Sequence, residues 1–222
     1  MYKVYFAGEL FDQKHIVGNH LLAKRIEEAS DSLYQCTLPQ NWEGHLSDIV
    51  DIRNNDIKAI MQADFVLFNF DGPDLDSGTV VEFVIAKMLD IPAVLLRTDS
   101  RNGGHLAGDD WNTMLAGYPR CIVVKHPALV LYNSVGIEQM QQVIAQSVIA
   151  ACQKVKKQMS IMSSYEEIWY AYHHVIKMCG GGLAQIISQE VLRDMIMIKI
   201  HNGIYPRVTP AITMYNDGNI AA

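Results

Sequence analysis

The sequence predicts an α/β protein: a doubly wound sheet of about five parallel strands with a C-terminal helical extension. Three observations carry this. Strand-like runs alternate with helical periods through the first two-thirds of the 222 residues, the pattern of βαβ units. The run ADFVLFNF, Ala63 to Phe70, is almost continuously apolar, as a strand buried on both faces must be. After about residue 136 the strand signals stop and helical periods take over.

In chain order, Lys3 to Ala7 is a β-rich run ending at Gly8. Gly18 to Ala29 places Leu21, Leu22, Ile26 and Ala29 at helical spacing. Tyr34 to Leu38 reads as a second strand, stopped by Pro39. Leu46 to Met61 reads as a helix, with Ser47 or Asp48 as its cap. The core strand follows, then a helix over Thr79 to Leu89, a strand over Pro92 to Leu96 and a fifth over Cys121 to Val124. Gln139 to Lys157, Tyr165 to Met178 and Leu183 to Lys199 are expected helices, interrupted by Gly180-Gly181-Gly182. The tail from Tyr205, with Pro206 and Pro210, has no regular period and is expected to be partly disordered. This divides the chain into an α/β domain, 1–157, and a helical extension, 158–222, with no internal repeat.

Half the residues are hydrophobic and 19% are charged, enough apolar material for a substantial core. A formal net charge of −6 argues against a nucleic-acid polymer as partner, which needs clustered Lys and Arg. Lys154, Lys156 and Lys157 read as a solvated helix face. Cys36, Cys121, Cys152 and Cys179 are far apart and form no CxxC pair; Cys36 and Cys121 sit in strand-like apolar runs and are expected to be buried free thiols, and metal ligation is not expected. No signal peptide precedes the strand-like Met1 to Tyr5, and no apolar run reaches the length of a membrane span. A reducing, cytoplasmic setting is the expectation.

In such sheets ligands bind beyond the carboxyl ends of the strands. Three loops fall there: Gly8 to Asp12, Asp71 to Gly78, and Thr98 to Asp110, the last rich in Gly and Asp and suited to a flap. The densest polar cluster is Asp71-Gly72-Pro73-Asp74-Leu75-Asp76-Ser77-Gly78-Thr79, with Glu82 one turn into the next helix. By composition alone it is a solvated turn; its place at a strand end gives it functional weight. A carboxylate near a helix N-terminus has its ionised form favoured by the dipole, the form needed for nucleophilic attack. Asp56 alone reads as an exposed helical residue, and Tyr5 as a core tyrosine with a satisfied hydroxyl.

Taken in order, several short motifs give the chain a family resemblance. They are Tyr5-Phe6-Ala7-Gly8 with Phe11, Asp51-Ile52-Arg53-Asn54-Asn55-Asp56-Ile57, Ala63-Asp64, Asp76-Ser77-Gly78-Thr79-Val80-Val81-Glu82, Asp99-Ser100-Arg101 and Trp111-Asn112-Thr113-Met114-Leu115. The series resembles nucleoside 2-deoxyribosyltransferases over roughly residues 2 to 135. The resemblance implies a flavodoxin-like fold and a ping-pong exchange of the base on a deoxyribosyl group, without cofactor or metal. It casts Glu82 as the nucleophile forming a covalent deoxyribosyl-enzyme, Asp56 as the acid and base toward the departing and incoming bases, and Tyr5 as the residue orienting the nucleophile. Asp76 is implied to hold the sugar 5′-hydroxyl, with Gly8 also at the substrate. Asn112 is implied to be lent by a neighbouring subunit, making the protein a homo-oligomer. Phe11 is placed against the base with Met114 beside it from the neighbour, and Asn41 and Trp42 fall near the base-contacting loop. Partners are then 2′-deoxynucleosides and free purine or pyrimidine bases. On this division of roles Glu82 stays ionised and Asp56 is held partly neutral by burial.

Two rival readings stand beside it. Relatives that hydrolyse deoxynucleoside 5′-monophosphates carry a serine where this chain has Asp76. A carboxylate there repels a phosphate by on the order of several kcal/mol at intermediate dielectric, which favours free nucleosides, and their hydrolysis stays open as a side reaction. A non-catalytic nucleotide- or base-sensing domain could keep the fold but has no need of Tyr5, Asp56, Asp76 and Glu82 together. His173-His174 lacks the partners of a metal site, and Gly180-Gly181-Gly182 is a helix terminator, with no GK[ST] of a phosphate loop after it. Met195 and Met197 fit core or interface packing. From about residue 158 the chain matches nothing in the family pattern.

Overall fold

A computed structural model describes residues 1–45, 48–72, 74–101 and 112–209. Strands β1 (Tyr2–Gly8), β2 (Tyr34–Thr37), β3 (Phe65–Asn69), β4 (Ala93–Arg97) and β5 (Cys121–Lys125) form one parallel sheet in the order β2-β1-β3-β4-β5. This is the flavodoxin-like order. β4 is buried throughout and β3 up to Asn69, which explains their unbroken apolar runs. Helices α1 (Gln13–Ala29) and α4 (Ala128–Lys156) pack together, as do α2 (Ile49–Gln62) and α3 (Ser77–Met88). No helix among the described residues is long and apolar enough to cross a membrane.

Helix starts follow capping side chains. Asp12 accepts from the His15 amide at 3.0 Å, so α1 begins ahead of Gly18. Asp48 caps α2 and Asp76 caps α3, satisfying amides that have no intrahelical partner. α4 begins at Ala128, well before the expected Gln139, and is interrupted at Gly136, whose φ of 76° breaks the helical geometry.

The C-terminal part differs from expectation in two places. The single helix expected over Leu183 to Lys199 is split into α6 (Leu183–Ile186) and α7 (Gln189–His201), because Ser188 caps a new start by accepting from the Val191 amide. The tail is not loose where it begins. Ile204 and Tyr205 are fully buried, and the Tyr205 hydroxyl donates to the Leu89 carbonyl at 2.8 Å. Residues 210–222, where the rest of the disorder expectation falls, lie outside the described residues, as do residues 102–110 of the expected flap. Cys36 and Cys121 are half-buried and Cys152 buried, all free.

Helix α5 (Tyr165–Cys179) packs on α3, and α7 closes the amino-terminal edge of the sheet. Lys199 donates to the Ala63 carbonyl, Asn202 donates to Asp64 at 3.0 Å, and the Ile161 amide donates to Asp90 at 2.8 Å. Beneath them Arg120 pairs with Asp90 at 2.9 Å, both side chains 1% exposed, and Arg120 also donates to the Ile204 carbonyl.

Candidate active site

Strand order reverses between β1 and β3, and a crevice opens at such a switch point. A cavity of about 620 Å³ lies there, between the end of β1, the loop after β2, one face of α2 and the first turns of α3. The spacing of Ile49, Ile52, Arg53 and Asp56 puts all four on that one face of α2.

Glu82 and Asp56 line the cavity together, each held by a different aromatic donor. The Tyr5 hydroxyl, on the buried strand β1, donates to Glu82 Oε1 at 2.5 Å. The Trp42 indole donates to Asp56 Oδ1 at 2.9 Å. The two rings lie 6.5 Å apart, so one aromatic pair sets the position of both carboxyls. Asp76 lines the same cavity and accepts from the Thr79 amide and hydroxyl, each at 2.7 Å. Both bonds fall on Oδ2, so the cap does not need Oδ1. Gly8 leaves the strand where a Cβ would stand 3.1 Å from Asn69 Cβ, a tight contact that any larger residue could make only if Asn69 shifted by a few tenths of an ångström. Phe11 lines the mouth at 75% exposure.

Other expected site residues are elsewhere. Asn41 is exposed at the end of a 3-10 turn, Pro39–Asn41. Asn112 is exposed and caps another, Thr113–Leu115, accepting from the Met114 amide at 2.9 Å. Met114 is 74% exposed, and neither residue lines the cavity of its own chain. Asp71, from the polar cluster, is a tie between loops: it accepts from the Thr98 hydroxyl at 2.6 Å and the Asp99 amide at 2.8 Å. Trp111 lies outside the described residues.

Among the lining residues that sequence reasoning did not assign to the site are Glu43, Arg53, Met178 and Cys179. Glu43 directly follows Trp42, the one local sign that it could face Asp56. Nothing local marks Met178 and Cys179, which reach the cavity from a helix far along the chain from the other lining residues.

The electrostatics are dominated by acids. Burial pushes the Glu82 carboxyl up to about 8; the Tyr5 hydrogen bond opposes this, and the charges of Asp56, Asp76 and Glu43 add to it. Burial and the charge of Glu43 raise Asp56 to about 7, against the Trp42 hydrogen bond. Glu43 is itself raised, by burial and then by Asp76. Burial and Glu82 drive the Tyr5 hydroxyl well up, so it remains a donor. Glu82 was expected to stay ionised on the strength of the α3 dipole. Desolvation among three other acids outweighs that dipole, and the cavity retains protons near neutral pH. A shared proton lets one carboxyl act as acid while another is a free base or nucleophile.

A sequence model described as nucleoside 2-deoxyribosyltransferase matches residues 4–117, just over half of the chain. The fold is similar to a solved structure of a conserved protein from Enterococcus faecalis V583, at 26% identity and a TM-score of 0.50, covering 66% of this chain and 98% of that one. It is also similar to a 2-deoxyribosyltransferase from Leishmania mexicana (21% identity, TM-score 0.45, 53% of this chain and 87% of that one). A 2-deoxyribosyltransferase from Bacillus psychrosaccharolyticus matches at 15% identity and a TM-score of 0.45, over 62% of this chain and 95% of that one. No curated protein sequence matches the chain.

Proposed function

This chain belongs to the nucleoside 2-deoxyribosyltransferase family, and we propose that it exchanges the nucleobase of free 2′-deoxynucleosides through a covalent deoxyribosyl-Glu82 intermediate. The observation that carries this reading is the placement of Glu82 and Asp56 in one cavity on separate aromatic donors. The reacting form is the one in which the proton shared by the two carboxyls sits on Asp56 and the Tyr5 hydroxyl holds the charge on Glu82. Ionised Glu82 attacks C1′ as the C1′–N bond breaks, and Asp56 gives its proton to the departing base. The incoming base then loses a proton to Asp56 and attacks C1′, releasing Glu82. Two inversions leave the configuration at C1′ unchanged. A deoxyribosyl group lacks the 2-hydroxyl that destabilises an oxocarbenium-like transition state, so two positioned carboxyls and a dry cavity suffice.

Asp76, beside Glu82 at the start of α3, has an oxygen in hand for the 5′-hydroxyl, while Phe11 offers a ring to the base. The four acids of the cavity repel a 5′-phosphate, which supports free nucleosides as substrates. Asn112 and Met114 are assigned to the site of a neighbouring subunit, making the protein a homo-oligomer. Their exposure at 112–114 and an apolar surface around the mouth, including Phe11, Ile49 (80% exposed) and Val81 (58%), support this.

The test is chromatography of purified protein with 2′-deoxyinosine and free adenine or cytosine, with Glu82→Ala alongside. New deoxynucleoside, absent with the variant, is expected, and comparing the two acceptors sets the base range. Release of hypoxanthine alone makes the protein a hydrolase, and no turnover of any deoxynucleoside overturns the reading.

A further inference from the structure

Residues 158–209 lie outside the family match at 4–117, and about a third of the chain has no counterpart in the E. faecalis protein, nearly all of which is covered. Yet the last turn of α5 reaches the active-site cavity: Met178 and Cys179 line it together with Ile52, Arg53, Asp56 and Glu82. We propose that this turn is the outer wall of the base-binding end of the cavity and determines how large a substituent an acceptor base can carry. The proposal rests on the exchange reading above, which assigns Asp56 to the base.

The wall is fixed to the helix that carries Asp56. Asn54, only 3% exposed, donates from Nδ2 to the Gly181 carbonyl at 2.6 Å. Gly181 has φ +55°, and a Cβ there would stand 2.9 Å from Val50 Cγ1 and run into the Arg53 guanidinium. A glycine in left-handed geometry is thus what lets the chain turn so tightly against α2. From the other side α5 is anchored by Ile168, Tyr172 and Val175, all fully buried. The wall therefore keeps a fixed distance from Asp56.

Its chemistry suits a flat heteroaromatic ring. Met178 offers a polarisable thioether that packs against aromatic edges, and Val81, Val84 and Met88 on α3 continue the apolar surface. Arg53, near Cys179 and Gly181, is the one cation among the described residues lining the cavity. As a lining side chain on this wall, Met178 sets by its volume the space left beyond the base. At 52% exposure it is replaceable without opening the core.

The experiment titrates adenine and N6-benzyladenine into wild type, Met178→Trp and Met178→Ala by calorimetry, and measures KM and kcat for the same two acceptors in the exchange assay. Met178→Trp is expected to weaken the benzylated base by about tenfold relative to adenine, the scale of a pocket that loses room for a few carbons. Met178→Ala is expected to shift the ratio the other way, with the change falling on KM. A purely structural role would alter both acceptors alike. If exchange proceeds and neither variant moves the ratio, the wall assignment fails while the exchange reading stands. If wild type gives no exchange but the binding ratio still moves, the wall stands and the exchange reading fails. Failure of both bases to bind wild type, together with no exchange onto either, overturns both.

Discussion

Glu43, Asp56, Asp76 and Glu82 crowd one cavity, and their burial has a consequence for stability whose sign follows from the direction of the shifts. Glu82 rises from 4.5 to about 8 on folding, and Asp56 from 3.8 to about 7. Between the unfolded and folded values the native protein holds protons that the unfolded chain has released. Stability linked to these groups is therefore complete below about pH 4 and is lost as pH rises through 7 and 8. Glu82→Gln keeps an acceptor for Tyr5 but cannot ionise. Its melting temperature is expected to exceed that of wild type at pH 8.5 and to match it near pH 4, a gap of about 2–4 °C for each kcal/mol in a chain of this size. Scanning calorimetry across that range checks it, and parallel curves for the two proteins would refute it. A site that charges itself at the expense of the fold is the usual mark of a catalytic cluster.

At the scale of elements, the buried pair Asp90–Arg120 ties the C-terminal part to the sheet. Arg120 Nη1 meets Asp90 at 2.9 Å with both side chains 1% exposed, and the Ile161 amide donates to the same Asp90 oxygen. Arg120→Ala leaves the Asp90 carboxylate buried without its cation and frees the Ile204 carbonyl. The expected loss is about 3–5 kcal/mol, read by urea unfolding, and a loss under about 1 kcal/mol would show that water reaches the pair. The sequence made little of this contact or of others like it. Runs such as Phe65 to Asn69 were legible as strands because burial on both faces removes polar residues. Asp48 was legible as a cap because capping is local chemistry. Periodicity identifies the apolar face of Tyr165–Cys179 but not what that face meets, so Met178 at the cavity was invisible. So were the junction at Ser188, hidden in a helical pattern, and the burial of Tyr205, which depends on Leu89 far back in the chain. Asp76 and Glu82 were accessible only because a family motif added to an otherwise ordinary acidic turn.

For the whole molecule, a net charge of −6 and an apolar rim around an acidic cavity fit association between copies better than docking of a polyanion. Asn112 and Met114 stand exposed on the chain that owns them, and the proposed reading sends Asn112 to a neighbour's sugar site. Subunit mixing tests this without a structure of the assembly. Glu82→Ala and Asn112→Ala proteins are each expected to be inactive alone. In a mixed pair, the site holding the intact Glu82 receives the intact Asn112 from the Glu82→Ala subunit, and one site of the two is whole. Equal mixing of freely exchanging dimers then restores about a quarter of the wild-type sites, as closed two-fold symmetry requires. Recovery of activity on mixing, together with an oligomeric mass by sedimentation, is the expected result. If Asn112 serves its own chain, mixing repairs nothing, because every site with Glu82 also carries the Asn112 lesion.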